Sequence, residues 1–175
     1  MLLKELSEAC GVSGQEGPVR DLVRRHLEGQ VEEMRTDALG NLLVRARAAG
    51  RRRAGGPVVM VAAHLDEVGL MVTGIESHGL LRFRTVGHID PRVLVSQVVS
   101  IGPEGIRGVV GCKPIHLQER GEEKKPFPLR DLVIDIGASS REEAERSVRL
   151  GQVAAFTTRC EELGGGVLKG KAFDD

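Results

Sequence analysis

The stretch PVVMVAA (residues 57–63) is a continuous apolar run that is followed at once by HLDE (residues 64–67), and it gives the first prediction of a fold class. An apolar run of this length without polar alternation predicts a β-strand that is buried on both faces, as in the centre of an α/β sheet. Ligands bind such sheets beyond the carboxyl ends of the strands. The polar residues from His64 onward are therefore the first place to look for a site.

The sequence before this run predicts two helices and a hairpin. Apolar residues share one helical face over residues 2–10, and a second helix is predicted to begin at Pro18, because proline suits a first helical turn. The turn sequence DALGN (residues 37–41) lies between two β-like pieces, which predicts a hairpin. We assign residues 1–68 to the first part of an α/β domain.

The sequence after the run changes in texture. Short β-like pieces alternate with turn clusters, at residues 69–74, 80–85, 97–101, 106–111 and 132–136. Strands this short and closely spaced predict a small barrel or sandwich. One helix interrupts them, with a capping box at Ser139 or Ser140. We expect residues 69–158 to form a β-rich domain, and residues 159–175 to return to the first domain through a strand at 167–173.

The composition excludes several classes of partner. The 25 Lys and Arg residues balance the 25 Asp and Glu residues, so no basic excess is present to attract nucleic acid or an anionic membrane. No apolar run approaches the ~18 residues of a membrane span. Three cysteines far apart in the sequence favour a reducing compartment over a disulfide framework. We therefore expect a cytoplasmic protein with no nucleic-acid partner and no membrane partner.

His64 and Asp66 are the first candidates for chemistry. If the strand continues that far, residues at i and i+2 lie on the same face. A neutral imidazole is a good ligand for zinc or cobalt, and a carboxylate nearby can accept the other ring N–H and so set the tautomer. The alternative is a surface histidine that follows a core strand and has an acid beside it.

The second candidate is the acid pair Asp174-Asp175, at the end of the predicted strand 167–173. A carboxylate can bridge two divalent cations, which lower the pKa of a bound water. The alternative is a polar cap for a helix, a position that aspartate favours. The histidine and the acid pair indicate one metal site only if both lie at the same edge of one sheet.

Several motifs, taken in order, resemble one known family. They are GVSG (residues 11–14), DALGN (37–41), AHLDEVGLMV (63–72), GVVGCKP (108–114), DIGASS (135–140) and GKAFDD (170–175). Together they resemble the glutamyl/tetrahedral aminopeptidases, dinuclear metallopeptidases of which some carry endoglucanase names. Glycosidase activity itself is disfavoured, because the near absence of aromatic residues and the histidine-centred site do not suit a sugar cleft with paired carboxylates.

The resemblance implies a fold and a set of roles. The fold is a partial α/β catalytic sheet domain that is interrupted by an inserted β-barrel-like domain used in dimerisation and assembly. His64 corresponds to a metal ligand, Asp66 to the catalytic carboxylate that orients it, and Asp174 to the carboxylate that bridges two divalent metal ions, zinc or cobalt. The activity implied is the release of N-terminal residues from peptides, by a homo-oligomer that ranges from dimer to dodecamer.

The sequence departs from that family in length. Its general base and its remaining metal ligands are expected beyond Asp175, and Glu67 is the nearest acid within these residues, supported as a stand-in by proximity alone. An alternative is therefore a truncated, non-catalytic interaction product that pairs with a full-length relative. We also expect the apolar stretch 57–63 to lack cover on one side, and residues 69–158 to fold alone.

Overall fold

A computed structural model describes residues 1–46, 56–118 and 126–174 of the chain. The helices are α1 (Leu2–Glu8), α2 (Gly17–Leu27) and α3 (Arg141–Ser147), and the strands are β1 (Val31–Thr36), β2 (Leu42–Ala46), β3 (Gly69–Ile75), β4 (Leu81–Val86), β5 (Val98–Ile101), β6 (Ile106–Gly111), β7 (Val133–Asp135), β8 (Val153–Phe156), β9 (Glu161–Gly164) and β10 (Val167–Lys169). Single 3-10 turns cover Pro91–Val93, Ile115–Leu117 and Leu129–Asp131. The chain is a mixed α/β protein, as expected.

The amino-terminal elements follow their local signals. Pro18 stands in the first turn of α2, and β1 pairs antiparallel with β2 across the predicted turn. Inside that turn the Asp37 carboxylate accepts hydrogen bonds from the backbone N–H groups of Leu39 and Asn41, at 3.0 and 2.9 Å. These bonds add to the backbone hydrogen bonds of the turn, from the Asp37 N–H to the Asn41 oxygen and from the Gly40 N–H to the Asp37 oxygen, both at 3.1 Å. The predicted second helix and the hairpin are confirmed, while α1 ends at Glu8 rather than at residue 10.

A closed barrel forms the largest body within the described ranges. Its strand order is β3-β4-β7-β6-β5-β8, and neighbouring strands pair antiparallel. The choice between barrel and sandwich is settled by β8, which sequence reasoning did not assign and which pairs with both β3 and β5. The core inside the barrel includes Leu70, Leu81, Ile101 and Ile134, each 0% exposed.

Helix α3 covers the barrel through the predicted capping box. The Ser140 hydroxyl accepts a hydrogen bond from the Glu143 backbone N–H at 3.2 Å, and the Glu143 carboxylate accepts from the Ser139 N–H at 2.8 Å. Ala144 is buried in the barrel core, as is Val148, the residue that ends the helix.

The predicted central strand at residues 57–63 is wrong. These residues lie in no strand and are exposed, with Val58 97% and Val61 91% accessible. A strand needs neighbours that satisfy its backbone groups, and neither described hairpin, β1–β2 or β9–β10, pairs with this segment. The central α/β sheet that the apolar run predicted is therefore not formed within the described part of the chain.

The predicted strand at 167–173 is also shorter than expected. Strand β10 ends at Lys169 and pairs antiparallel with β9, so that it forms a hairpin instead of an element of a central sheet. The turn between them contains Gly165 and Gly166, whose φ values of 61° and 78° are left-handed and suit glycine. After β10 the chain leaves the hairpin toward residues 170–174.

The amino-terminal residues dock beside the start of the barrel. Val12 is 1% exposed and forms a parallel bridge with Glu67. A Cβ on Gly69 would lie 2.5 Å from Cγ2 of Val12, so the close approach depends on glycine at this position. This contact brings the segment that follows His64 against residues 11–13. In the described ranges no helix is both long and apolar enough to cross a bilayer.

Candidate functional site

His64 is oriented by Asp66. Its Nδ1 atom lies 2.8 Å from the backbone oxygen of Asp66 and 3.2 Å from Oδ1 of the same residue. Because a carbonyl oxygen only accepts hydrogen bonds, Nδ1 carries the hydrogen and the lone pair of the neutral ring is on Nε2. An imidazole held in this tautomer has the electronic form of a metal ligand.

Ser13 lowers the pKa of Asp66. The Ser13 hydroxyl donates a short hydrogen bond to Oδ2 of Asp66, and this bond is the largest cause that lowers the pKa of Asp66 below its ordinary value. Partial burial opposes the shift, while the residue's own backbone N–H and His64 add to it. Asp66 is therefore ionised at neutral pH. Ser13 lies in the GVSG motif (residues 11–14), but nothing in the local sequence indicates its bond to Asp66.

Glu67 is committed to a buried ion pair with Lys171. The Nζ atom of Lys171 lies 2.6 Å from Oε1 and 2.7 Å from Oε2 of Glu67, and the two side chains are 10% and 9% exposed. Oε1 also accepts a hydrogen bond from the Gly11 backbone N–H at 3.2 Å. Glu67 thus holds a lysine rather than a reacting group, and it does not serve as a stand-in base.

The stretch around Lys171 is anchored on the amino-terminal helix. The Lys171 ammonium donates a third hydrogen bond to the Ala9 backbone oxygen at 2.8 Å, and the buried Ser7 hydroxyl donates to the Lys171 backbone oxygen at 2.6 Å. A Cβ on Gly170 would lie 2.6 Å from the Ser7 Oγ, so glycine is required for this approach. The segment that leads to Asp174 is fixed before it reaches the acid.

The chain turns between this anchor and Asp174. Ala172 has a left-handed φ of 52°, and Phe173 and Asp174 are exposed. Asp175, the second member of the predicted acid pair, lies outside the described residues. The ion pair between Glu67 and Lys171 joins the two segments that carry His64 and Asp174. That the two side chains bind a shared metal stays a prediction.

Other features of the described residues add no competing site. No group of three or more His, Cys, Asp or Glu residues there is arranged to hold a metal ion. A groove of about 440 Å³ lies between the amino-terminal residues and the barrel and is lined by residues that include Val12 and Gln152, but by neither His64 nor Asp174. The three cysteines are free thiols, in agreement with their spacing.

The chain is similar in sequence and in structure to known aminopeptidases. A lysyl aminopeptidase of Pyrococcus furiosus is 38% identical over 167 residues, which are 93% of this chain and 46% of that protein. The solved aminopeptidase APDkam598 of Desulfurococcus kamchatkensis superposes with a TM-score of 0.86 at 39% identity, over 99% of this chain and 47% of its own. The TET1 peptidase of Pyrococcus horikoshii, which can assemble into a tetrahedron or a large octahedral shell, superposes with a TM-score of 0.80 at 37% identity, over 94% and 48%. The fold matches that of about half of each of these solved peptidases.

The family follows from the sequence profile. The M42 glutamyl aminopeptidase profile matches residues 40–175, most of the chain. This chain belongs to the M42 glutamyl aminopeptidase family, as its motifs indicated. It spans about half the length of the proteins to which it is similar.

Proposed function

We propose that this chain contributes to the active site of a metal-dependent aminopeptidase that releases N-terminal residues from peptides by means of a two-metal-activated water. The observation that carries the proposal is the orientation of His64 by Asp66, with Nδ1 as the donor and the lone pair on Nε2. The M42 family membership supports the reaction class. The bound metals would polarise the scissile carbonyl and lower the pKa of the attacking water.

The residues fit such a centre by their chemistry. An imidazole nitrogen and a carboxylate oxygen are a donor set that zinc and cobalt accept. In this assignment His64 is a ligand through Nε2, Asp66 holds the imidazole in that tautomer, and Asp174 is the bridging carboxylate. The Asp66 carboxylate is ionised in the neutral range, where it can accept a hydrogen bond from His64. The proposal assigns no general base to the described residues.

The partners and the compartment follow from the same assignment. We propose peptide substrates and a homo-oligomer, because the TET1 peptidase of similar fold assembles into closed shells. Three free thiols support a reducing, cytoplasmic compartment. Size-exclusion chromatography with light scattering tests the assembly: a monomer at all concentrations would contradict it.

A second candidate function is non-catalytic. The exposed apolar segment at residues 57–63 favours an interaction chain that pairs with a full-length relative, since exposed runs of this kind bind other surfaces. This candidate predicts that the 175-residue chain alone does not turn over a peptidase substrate. It differs from the first in activity and not in family.

Metal stoichiometry and turnover separate the two candidates. The chain is titrated with Zn²⁺ or Co²⁺ by calorimetry and then assayed on aminoacyl p-nitroanilides. His64→Ala and Asp174→Asn should each weaken metal binding, while the control His78→Ala, which removes an exposed histidine bonded to Ser77, should not. Turnover that is lost in both site variants supports the aminopeptidase. Metal binding through these residues without turnover favours the second candidate, and no metal binding contradicts the proposed centre.

A further inference from the structure

We propose that Lys171 is a positioning residue of the metal centre, which sets the bridging carboxylate of Asp174 relative to His64 through its ion pair with Glu67. This inference rests on the function proposed above. It concerns a lysine that lies in the GKAFDD motif but has no role assigned from the sequence, and whose ammonium bonds to Glu67 and Ala9.

Lys171 is a fixed point in the structure. A lysine ammonium has three donors, and here all three are used, by Oε1 and Oε2 of Glu67 and by the backbone oxygen of Ala9. The side chain is only 10% exposed, so water competes little for these bonds. A side chain with every donor satisfied in one geometry cannot change rotamer without the loss of several bonds at once.

Both members of the ion pair are close in sequence to a proposed ligand. Glu67 lies three residues after His64, and Lys171 lies three residues before Asp174. Three residues span at most about 11 Å even when fully extended. The ion pair therefore limits how far apart the two ligand-bearing segments can move, although 104 residues separate Glu67 from Lys171 in the sequence.

The segment between Lys171 and Asp174 has a conformation that this anchor maintains. Ala172 has a φ of 52°, a left-handed conformation that a β-carbon disfavours. The residue before it is held on both sides, by its side chain on Glu67 and by its backbone oxygen, which accepts from Ser7. The turn at Ala172 thus starts from a fixed direction, and that direction sets where the Asp174 carboxylate lies.

Stability alone does not explain an ion pair at this position. Burial of two charges costs desolvation free energy, and apolar residues of similar volume often stabilise a fold equally well. An ion pair with defined hydrogen bonds differs from an apolar contact in that it specifies one geometry. A metal centre needs that property, because ligand positions must be held within a fraction of an ångström.

A Co²⁺ titration followed by NMR separates positioning from stability. We compare the unaltered chain with Lys171→Met, with the double variant Glu67→Leu/Lys171→Met, and with the control Lys169→Met, which removes an exposed lysine paired with Glu161. The amide spectrum reports whether each variant is folded, and paramagnetic broadening near residues 64–67 and 172–174 reports the Kd for Co²⁺. Calorimetry with Zn²⁺ provides an independent Kd.

We expect Lys171→Met to weaken Co²⁺ binding by about tenfold or more, the scale at which outer-shell residues affect metal sites, with Lys169→Met unchanged. The double variant removes the unpaired charge and should regain stability without regaining affinity. If Lys171→Met does not fold, the Co²⁺ affinity of the double variant still tests whether Lys171 positions the ligands. A double variant that binds Co²⁺ as tightly as the unaltered chain overturns the positioning role, and so does affinity that follows the melting temperature across the series.

The same titration distinguishes this inference from the proposed function. If the unaltered chain does not bind Co²⁺, or if His64→Ala binds it equally well, the proposed metal centre is wrong and the inference fails with it. If binding requires His64 and Asp174 but is unaffected in both Lys171 variants, only the positioning role is wrong. Loss of affinity in both Lys171 variants, with the control unchanged, supports it.

Discussion

The Nζ atom of Lys171 lies 2.6 Å from Oε1 of Glu67, in a pair of side chains that are 10% and 9% exposed. Lys171→Met would leave the Glu67 carboxylate buried without its cation. We expect a loss of about 3–5 kcal/mol in the free energy of unfolding, the usual cost of an unpaired buried charge. Urea denaturation followed by circular dichroism measures this loss.

Two comparisons test the reason for that loss. The double variant Glu67→Leu/Lys171→Met removes both charges and should lose less than the single variant, since no unpaired charge remains. Lys169→Met breaks an exposed pair with Glu161, which is worth no more than about 1 kcal/mol. Equal losses in Lys171→Met and Lys169→Met would show that burial of the pair contributes nothing.

The hydrogen bond from Ser13 to Asp66 predicts a pKa change. Ser13→Ala removes the largest cause of the lowered pKa of Asp66, so that pKa should rise toward its ordinary value of 3.8. Carbon NMR of the Asp66 carboxyl over an acid titration measures the shift. The control Ser77→Ala removes a hydroxyl that bonds to His78 and should leave the pKa of Asp66 unchanged.

The sign of the accompanying stability change follows from linkage. A lowered pKa in the folded state adds stability above the pKa of the unfolded chain, and that stability is lost as pH falls through the lowered folded value. Ser13→Ala should therefore lose less stability on acidification below about pH 4 than the unaltered chain does. A steeper loss in the variant would contradict this account of Asp66.

The exposed apolar segment at residues 57–63 predicts self-association. Val59 is 80% exposed, whereas Val99 in the barrel is fully buried. Val59→Lys should slow aggregation several-fold without a change in melting temperature, because a charge on an exposed apolar stretch disfavours intermolecular strand pairing. Light scattering over time and thermal unfolding measure the two effects. Val99→Lys is the matched control, and it should unfold the barrel.

The barrel is predicted to fold as an independent unit. The core cluster described here comes from residues within 70–148 together with Ala154, so residues 69–158 contain it. Expressed alone, this fragment should unfold cooperatively on heating and show dispersed amide resonances. Ile134→Ala should lower its stability by about 2–5 kcal/mol, as expected for a filled core. If the fragment unfolds without cooperativity, the barrel depends for its stability on contacts with the amino-terminal residues.

The helices α2 and α3 and the β1–β2 hairpin could be predicted because nearby residues in the sequence stabilise them. Pro18 in the first turn of α2, the Asp37 turn and the Ser140 cap each stabilise their element through bonds within a few residues. The short barrel strands were predictable from apolar pieces between turns. Closure was not, since it depends on β8, whose partner β3 lies more than 70 residues earlier.

Part of the candidate site, His64 and Asp66, could also be predicted from local sequence. His64 and Asp66 were singled out by their spacing and by the polar break after an apolar run, and the structure places Nδ1 of His64 against Asp66. Ser13 and Lys171 were not, because they act on Asp66 and Glu67 across 53 and 104 residues. A serine or a lysine carries no local pattern that indicates such a partner.

The helices, the hairpin, the β-rich character of residues 69–158 and the family could be predicted from the sequence, since each depends on short-range bonding or on motif order; the two candidate ligands stay predictions. Closure of the barrel, the lack of a strand at residues 57–63 within the described chain, and the pairing of Glu67 with Lys171 depend on tertiary contacts. The physical reason is that strand pairing and buried ion pairs need partners distant in the sequence. Apolar residues predict that burial is favourable, but the partner that supplies it is decided by the folded chain.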